Sequence, residues 1–154
     1  PYTETGDAGY SLATAQMLPG GTTSITGFLD NVDIYRFSWG GGSFTASTST
    51  GFDPMLFVFD LAGNLLAFND DYYGLQSYIA PSLVSGDYLL GIDHYAYNYG
   101  GNLAGFANAG SSTGGDAYTI YLGTPTMGAV PEPASLALLG LGLAGLAVSR
   151  RKKA

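Results

Sequence analysis

The chain has 154 residues, no cysteine and a formal net charge of −7 at pH 7. The lack of cysteine excludes disulfides and thiolate chemistry, and the acidity argues against binding to the phosphate backbone of nucleic acids. The 24 glycines, 12 tyrosines and 8 phenylalanines are typical of an all-β protein with many tight turns. This length allows one domain with a modest core.

Charge is distributed unevenly along the chain. Residues 1–130 contain eleven acidic residues and one basic residue, Arg36, which gives −10, whereas residues 131–154 contain one acid and four bases, which gives +3. The first part attracts divalent cations. It also contains no lysine, so amine-based catalysis is excluded there.

Apolar and polar residues alternate with a period of two in several segments, a pattern that predicts half-buried strands. In the 33–39 segment, Tyr35 and Phe37 face one side, and Ile34 and Arg36 face the other. The predicted strands cover residues 22–27, 33–39, 43–48, 52–60, 65–69, 77–83, 87–93 and 116–122. About eight strands predict an antiparallel β-sandwich over residues 1–122, followed by a linker at 123–130.

Two of these strand pairs are expected to be hairpins. The 33–39 and 43–48 strands are joined by Gly40–Gly42, and the 65–69 strand follows the 52–60 strand through a short turn.

Two pairs of acids lie near the beginning of the chain. Glu4 and Asp7 flank Gly6, where the backbone can bend, and Asp30 and Asp33 flank a turn into a strand. Converging carboxylates repel each other, and a divalent cation relieves that repulsion. The alternative interpretation of the second pair is an Asx-type turn with a solvated acid.

A second, weaker metal site is predicted at the end of the 52–60 and 65–69 hairpin. Asp53 begins one strand, and Asp70 and Asp71 follow the other, so an antiparallel return brings the three acids to one corner. A solvated acidic corner is the alternative.

Exposed aromatic residues are candidates for ligand or protein contacts. Tyr72 and Tyr73 are adjacent, and Tyr95, Tyr97 and Tyr99 alternate at the start of a long glycine-rich loop at 94–116. The alternative for the last three is that they extend the preceding strand and expose an aromatic ladder. Flat amphipathic rings suit sugar stacking or protein contacts. An inert tyrosine-rich surface is the alternative.

The end of the chain combines three features in order. Pro131-Glu132-Pro133 is followed by an apolar run at 136–148 and by four bases, Arg150, Arg151, Lys152 and Lys153. This tail resembles the PEP-CTERM sorting signal of exported Gram-negative bacterial proteins. The resemblance implies an exosortase-type processing enzyme as a partner, transient anchoring in the inner membrane, and a final location at the cell surface or outside the cell.

Residues 134–148 are expected to form an apolar helix, with the basic cluster at the cytoplasmic face. A helix of this length spans about 22 Å. An exported protein needs an N-terminal signal peptide, and none is visible. We therefore expect that one was removed.

The body resembles the bacterial pre-peptidase C-terminal domain superfamily. The resemblance rests on short patches in residues 4–9, 14–16, 25–27, 30–37, 53–60, 63–64, 69–71 and 85–88. It implies a β-sandwich with Ca²⁺ held between an acidic segment, matched by Glu4 and Asp7, and a D-x-x-D pair, matched by Asp30 and Asp33. We therefore expect one calcium site formed by these four residues.

The sequence predicts a non-enzymatic protein. Its one histidine, His94, follows Asp93, and neighbouring residues on a strand point to opposite faces, so the pair does not form part of a triad. The expected function is that of a cell-surface or extracellular-matrix protein with a calcium-stabilised sandwich, which contacts polysaccharide or itself. The alternative is a subunit of a homopolymeric filament, in which the tail helix is retained and packs through Gly140 and Ala144.

Overall fold

The computed structural model describes residues 1–95, 101–106 and 115–123. In chain order, its elements are β1 (Tyr2–Thr3), β2 (Gln16–Met17), β3 (Ser24–Leu29), β4 (Asp33–Trp39), β5 (Gly42–Ser43), β6 (Ala46–Thr50), β7 (Pro54–Asp60), β8 (Leu65–Asn69), β9 (Tyr78–Ile79), β10 (Ser82–Leu83), β11 (Gly86–His94), α1 (Leu103–Phe106) and β12 (Asp116–Leu122).

The strands form two five-stranded sheets and a small ribbon. The first sheet has the order β1-β3-β12-β6-β9, the second has the order β2-β4-β11-β7-β8, and β10 pairs with β5. The pairs β1/β3 and β2/β4 are parallel, and the other pairs are antiparallel. The predicted antiparallel sandwich is confirmed, with two short parallel strands added at its edges.

The main hydrophobic core lies between the two sheets. Ile25 of β3 and Ile120 of β12 pack with Tyr35 of β4 and Leu90 of β11, all of them buried. Because side chains alternate along a strand, the opposite face of the second sheet carries another apolar set. Residues such as Phe57 form that set beneath Phe106 of α1.

The predicted hairpin between residues 33–39 and 43–48 is wrong. β4 pairs with β11 over seven residues in the second sheet, whereas β6 pairs with β12 in the first sheet. Gly41 and Gly42 both have φ of 99° and carry the chain from one sheet to the other. The nine-residue β11 pairs along the whole of β4, whereas β6 has only five residues.

Other predicted strands agree closely with the structure. The returning pair β7/β8 and the last strand at 116–122 are confirmed, whereas the 77–83 strand is divided into β9 and β10. The predicted tail helix and the linker beyond residue 123 lie outside the described residues.

Candidate metal centre

Three of the four acids predicted to hold a cation meet at one point. Glu4, Asp7 and Asp33 each offer a carboxylate oxygen, and these oxygens all lie within 4.8 Å of one another. In the part of the chain that the structure describes, no other set of three metal-ligating side chains gathers in this way. Asp33 is fully buried, Glu4 is half-buried and Asp7 is exposed.

Glu4 is positioned by the first sheet. β1 runs parallel to β3, and the backbone N–H of Glu4 continues this pairing by donating to the Thr26 carbonyl at 2.9 Å. The Glu4 carboxylate accepts the N–H of Phe28 at Oε2, at 2.9 Å, and that of Ala8 at Oε1, at 2.8 Å. These bonds hold the side chain against β3.

A glycine at position 27 makes this approach possible. A Cβ atom there would collide with both the Glu4 carboxylate and the Tyr118 hydroxyl. Gly27 therefore lets the side chains of Glu4 and Tyr118 come close to the backbone of β3.

Asp7 is held by a tight turn. Its Oδ1 accepts the N–H of Gly9 at 2.6 Å, and Gly6 and Gly9 both have φ of 68°, a left-handed conformation that favours glycine. The Gly9 carbonyl then accepts the N–H of Ile34 at 3.0 Å, which ties the turn to β4 beside Asp33.

Asp33 points into the space between the sheets. The Tyr118 hydroxyl donates to its Oδ2 at 2.6 Å, and the Tyr35 hydroxyl hydrogen-bonds to that of Tyr118. The other oxygen, Oδ1, is buried without a hydrogen-bond partner. The pKa of Asp33 is raised to about 7, mainly by burial. The Tyr118 hydrogen bond opposes this rise, and the charges of Glu4 and Asp7 contribute to it.

Asp30 does not join the three acids. It is exposed in the turn before β4, although its charge adds to the rise in the pKa of Asp33. The D-x-x-D spacing therefore brings one carboxylate inside the sandwich and leaves the other at its surface.

The three carboxylates fit a hard cation such as Ca²⁺. All of the ligands are oxygens, each carboxylate oxygen has two lone pairs, and the partnerless Oδ1 of Asp33 is available to a metal. A divalent cation would also offset the repulsion among three acids that have no basic group among them.

The second predicted acidic corner is more open. Burial raises the pKa of Asp53, and the charges of Asp71 and then Asp70 raise it further, so Asp53 interacts electrostatically with both acids. Oδ1 of Asp53 is buried without a partner. The three do not gather as tightly as Glu4, Asp7 and Asp33 do.

The candidate tyrosines occupy different places. Tyr72 and Tyr73 are 69% and 84% exposed, and the Tyr72 ring lies 4.7 Å from that of Tyr78 on β9. Tyr95 is 41% exposed just after β11. Tyr97 and Tyr99 lie outside the described residues.

Asp93 is a buried acid for which the sequence predicted only that it does not orient His94. Its side chain is fully buried, its Oδ1 accepts the backbone N–H of His94 at 2.7 Å, and its Oδ2 has no partner. Burial raises its pKa to about 7. The His94 ring instead lies beside Asp116, with Nε2 3.0 Å from Oδ2, so Asp93 does not orient the imidazole.

A separate apolar cavity lies at one end of the sandwich. It encloses about 200 Å³ beside Phe37, Trp39 and Phe44, and none of its lining residues is an acid, a base or a histidine. It is therefore unrelated to the acidic cluster.

Comparisons with known proteins bear on the tail and on the fold of the body. Residues 129–152 match the family described as the PEP-CTERM protein-sorting motif. The pre-peptidase C-terminal domain of collagenase from Bacillus anthracis superposes with a TM-score of 0.50 and 15% sequence identity, covering 70% of this chain and 93% of that one. The periplasmic inhibitor PliG of g-type lysozyme from Aeromonas hydrophila reaches a TM-score of 0.41 at 16% identity, covering 70% and 95%. No curated protein matched.

Among the described residues, no helix has the length and apolar character needed to cross a membrane.

The tail is identified by the family match and the fold of the body by the structural comparison. The body has the β-sandwich fold of a pre-peptidase C-terminal domain, and the chain carries a PEP-CTERM motif, which indicates an exported protein of a Gram-negative bacterium that is sorted by exosortase-type machinery.

Proposed function

We propose that the chain is a non-enzymatic cell-surface or extracellular-matrix protein whose β-sandwich is stabilised by Ca²⁺ and whose PEP-CTERM tail is used for anchoring or processing. The observation that carries the calcium assignment is the convergence of Glu4, Asp7 and Asp33, with an unsatisfied buried oxygen on Asp33. Backbone carbonyls or water would complete a shell of six or more oxygens.

Calcium at this point would join three parts of the fold. Glu4 follows β1 in the first sheet, Asp33 begins β4 in the second sheet, and Asp7 lies in the turn between β1 and β2. A cation bound by all three would fasten the N-terminal segment across the sandwich. This role suits a chain without disulfides.

The non-enzymatic assignment rests on the chemistry of the described residues. The titratable groups with strongly raised pKa values are Asp33, Tyr35, Asp93 and Tyr118, all of them buried. Three of these form one hydrogen-bonded chain inside the core. None of them lines the apolar cavity at the end of the sandwich. Tyr118 lines the groove beside Thr26 and Phe28, but its hydroxyl is hydrogen-bonded to Asp33 and Tyr35.

Thermal unfolding with and without calcium tests the proposal. At a Ca²⁺ concentration 100 times its Kd, binding to the native state alone adds about 2.7 kcal/mol to the free energy of unfolding. We expect the Tm to fall in excess EDTA and to recover when Ca²⁺ is restored. A Tm that EDTA leaves unchanged would contradict the calcium assignment.

The tail requires a separate measurement, which is mass spectrometry of the mature exported protein. A C-terminus near Pro133 is expected if the motif is cleaved. Exported protein that retains Ala154 would contradict cleavage and favour a retained tail.

A further inference from the structure

Among the residues that the structure describes, the side chains on the outer face of the first sheet are uncharged. Side chains alternate along each strand, and the residues that point into the core include Ile25 of β3, Ile120 of β12 and Thr48 of β6, all buried. The residues between them point away from the core, and they include Thr26, Phe28, Thr119, Tyr121 and Ser49. We call the outward-pointing side chains of β1, β3, β12, β6 and β9 the uncharged face. It lies on a body whose first 130 residues carry a net charge of −10.

Hydroxyl groups cross this face in a single row. Thr3 lies opposite Thr26, Thr26 opposite Thr119, and Thr119 opposite Ser49, so four neighbouring strands place hydroxyl side chains side by side. Neighbouring strands are about 4.8 Å apart, and the row is therefore roughly 14 Å long. A hydroxyl group has the capacity to donate and to accept hydrogen bonds, and within the row the Thr26 hydroxyl donates to that of Thr3 at 3.4 Å.

Aromatic rings stand on both sides of the hydroxyl row. Phe28 is 66% exposed opposite the small Ala117, and Tyr121 is 54% exposed four residues further along β12. Four residues of a strand span about 13 Å, so the two rings are separated by the row. On the far side of β6, Tyr78 and Tyr72 continue the aromatic surface from Tyr121.

A groove gives this face depth at one edge. It has a volume of about 490 Å³ and is lined by Thr3, Thr26, Phe28 and Thr119. The acid Glu4, which belongs to the cluster described above, also lines it. Hydroxyls and an aromatic ring therefore line a concave surface, which is typical of a ligand site.

Charge restricts what can bind here. A cationic partner would be drawn to the acidic parts of the body, and nucleic acid would be repelled by the body as a whole. Two copies meeting through this face would bring two highly acidic bodies together, at an electrostatic cost. An uncharged partner rich in hydroxyls incurs none of these costs.

We propose that the uncharged face binds a neutral polysaccharide, with sugar rings stacked on Phe28 and Tyr121 and their hydroxyls bonded to the Thr3–Thr26–Thr119–Ser49 row. Aromatic rings provide apolar contact area for sugar faces, and the row supplies hydrogen bonds between them. This interaction goes beyond the proposed function and does not require calcium at the acidic cluster.

Native affinity electrophoresis of the full 154-residue chain tests the proposal. The gels contain neutral hydroxyethylcellulose, dextran, amylose or galactomannan, or the anionic alginate. We expect at least one neutral polymer to retard the protein and alginate not to. Phe28→Ala and Tyr121→Ala should each weaken that retardation about tenfold, and Tyr10→Ala, which removes a similarly exposed ring (55%) outside this face, should not.

The result that would overturn the proposal is retardation by none of the neutral polymers, or retardation equal in wild type and in both face variants. Concentration-dependent dimers in sedimentation that Phe28→Ala and Tyr121→Ala abolish would also overturn it, because a second copy would then occupy the face. The gels are repeated in EDTA under conditions where the chain remains folded. If glycan binding is retained in EDTA, it does not depend on calcium, and a failure of the calcium assignment then leaves the glycan proposal standing. Loss of the calcium effect on Tm tests only the calcium assignment.

Discussion

Two fully buried aspartates on neighbouring strands, Asp33 and Asp93, show how similar burial leads to different chemistry. Asp33 lies opposite Ile92 in the β4/β11 pair, so Asp93 is the next residue and points to the other face. Burial raises the pKa of both to about 7. Each also has one oxygen without a partner.

Their surroundings differ. Asp33 faces Glu4 and Asp7 and accepts a hydrogen bond from Tyr118, whereas Asp93 accepts only the N–H of His94, and no nearby charge contributes to its raised pKa. Repulsion among several acids favours binding of a cation, whereas an isolated buried acid is most stable when protonated. A raised pKa alone therefore does not identify a metal ligand.

The largest expected effect is that of Asp93→Asn. The folded pKa of about 7 exceeds the unfolded value of 3.8. The native state therefore retains a proton that the unfolded chain releases, and stability falls as the pH rises from about 4 to 7. Asparagine removes this dependence. The free energy of unfolding of the variant minus that of wild type should therefore be larger at pH 8 than at pH 4, by up to about 4 kcal/mol.

Urea unfolding in EDTA at the two pH values measures this difference. Asp60→Asn is the control, because hydrogen bonds from Asn64 lower the pKa of the exposed Asp60 and place its titration below pH 4. The stability of this variant relative to wild type should therefore change little between pH 4 and pH 8. An Asp93→Asn difference that is the same at pH 4 and pH 8 would show that Asp93 is not held neutral in the fold.

The effect of Asp33→Asn on stability should differ in sign between EDTA and saturating Ca²⁺. In EDTA the variant should be at least as stable as wild type at pH 8, because it removes a buried, repelled charge while its amide oxygen still accepts the Tyr118 hydroxyl bond. In saturating Ca²⁺ it should lose the increment of about 2.7 kcal/mol expected at 100 times the Kd. Thermal unfolding in the two buffers measures both arms.

Asp30→Asn is the matched control for that experiment. It removes one negative charge beside the site but none of the three converging ligands. We expect it to weaken calcium binding only modestly and to retain most of the increment. If Asp30→Asn abolishes calcium stabilisation as fully as Asp33→Asn does, the four-ligand site expected from the sequence is correct.

The sequence predicted local features better than distant ones. The strand at 116–122 was found because its alternation is local, and Asp33 is in phase with the core residues Tyr35 and Phe37, so its burial could have been read from the same pattern. The Tyr118 hydroxyl that bonds to Asp33 lies 85 residues away, and no spacing indicates it. The prediction that β4 forms a hairpin with the next strand was wrong for the same reason. Its antiparallel partner is β11, which lies far along the chain.

The smallest effect is expected at the acidic corner of Asp53, Asp70 and Asp71. The pKa of Asp53 is raised by burial and by the other two acids, so Asp71→Asn should relieve repulsion and raise stability in EDTA by less than about 1 kcal/mol, as is usual for exposed charges. If the corner is also the second, weaker calcium site, then Asp53→Asn together with Asp71→Asn should reduce the number of bound ions by one in calorimetric titration. Unchanged stoichiometry, with the small stabilisation retained, would show that this corner is surface charge and that the cluster at Asp33 alone binds the cation.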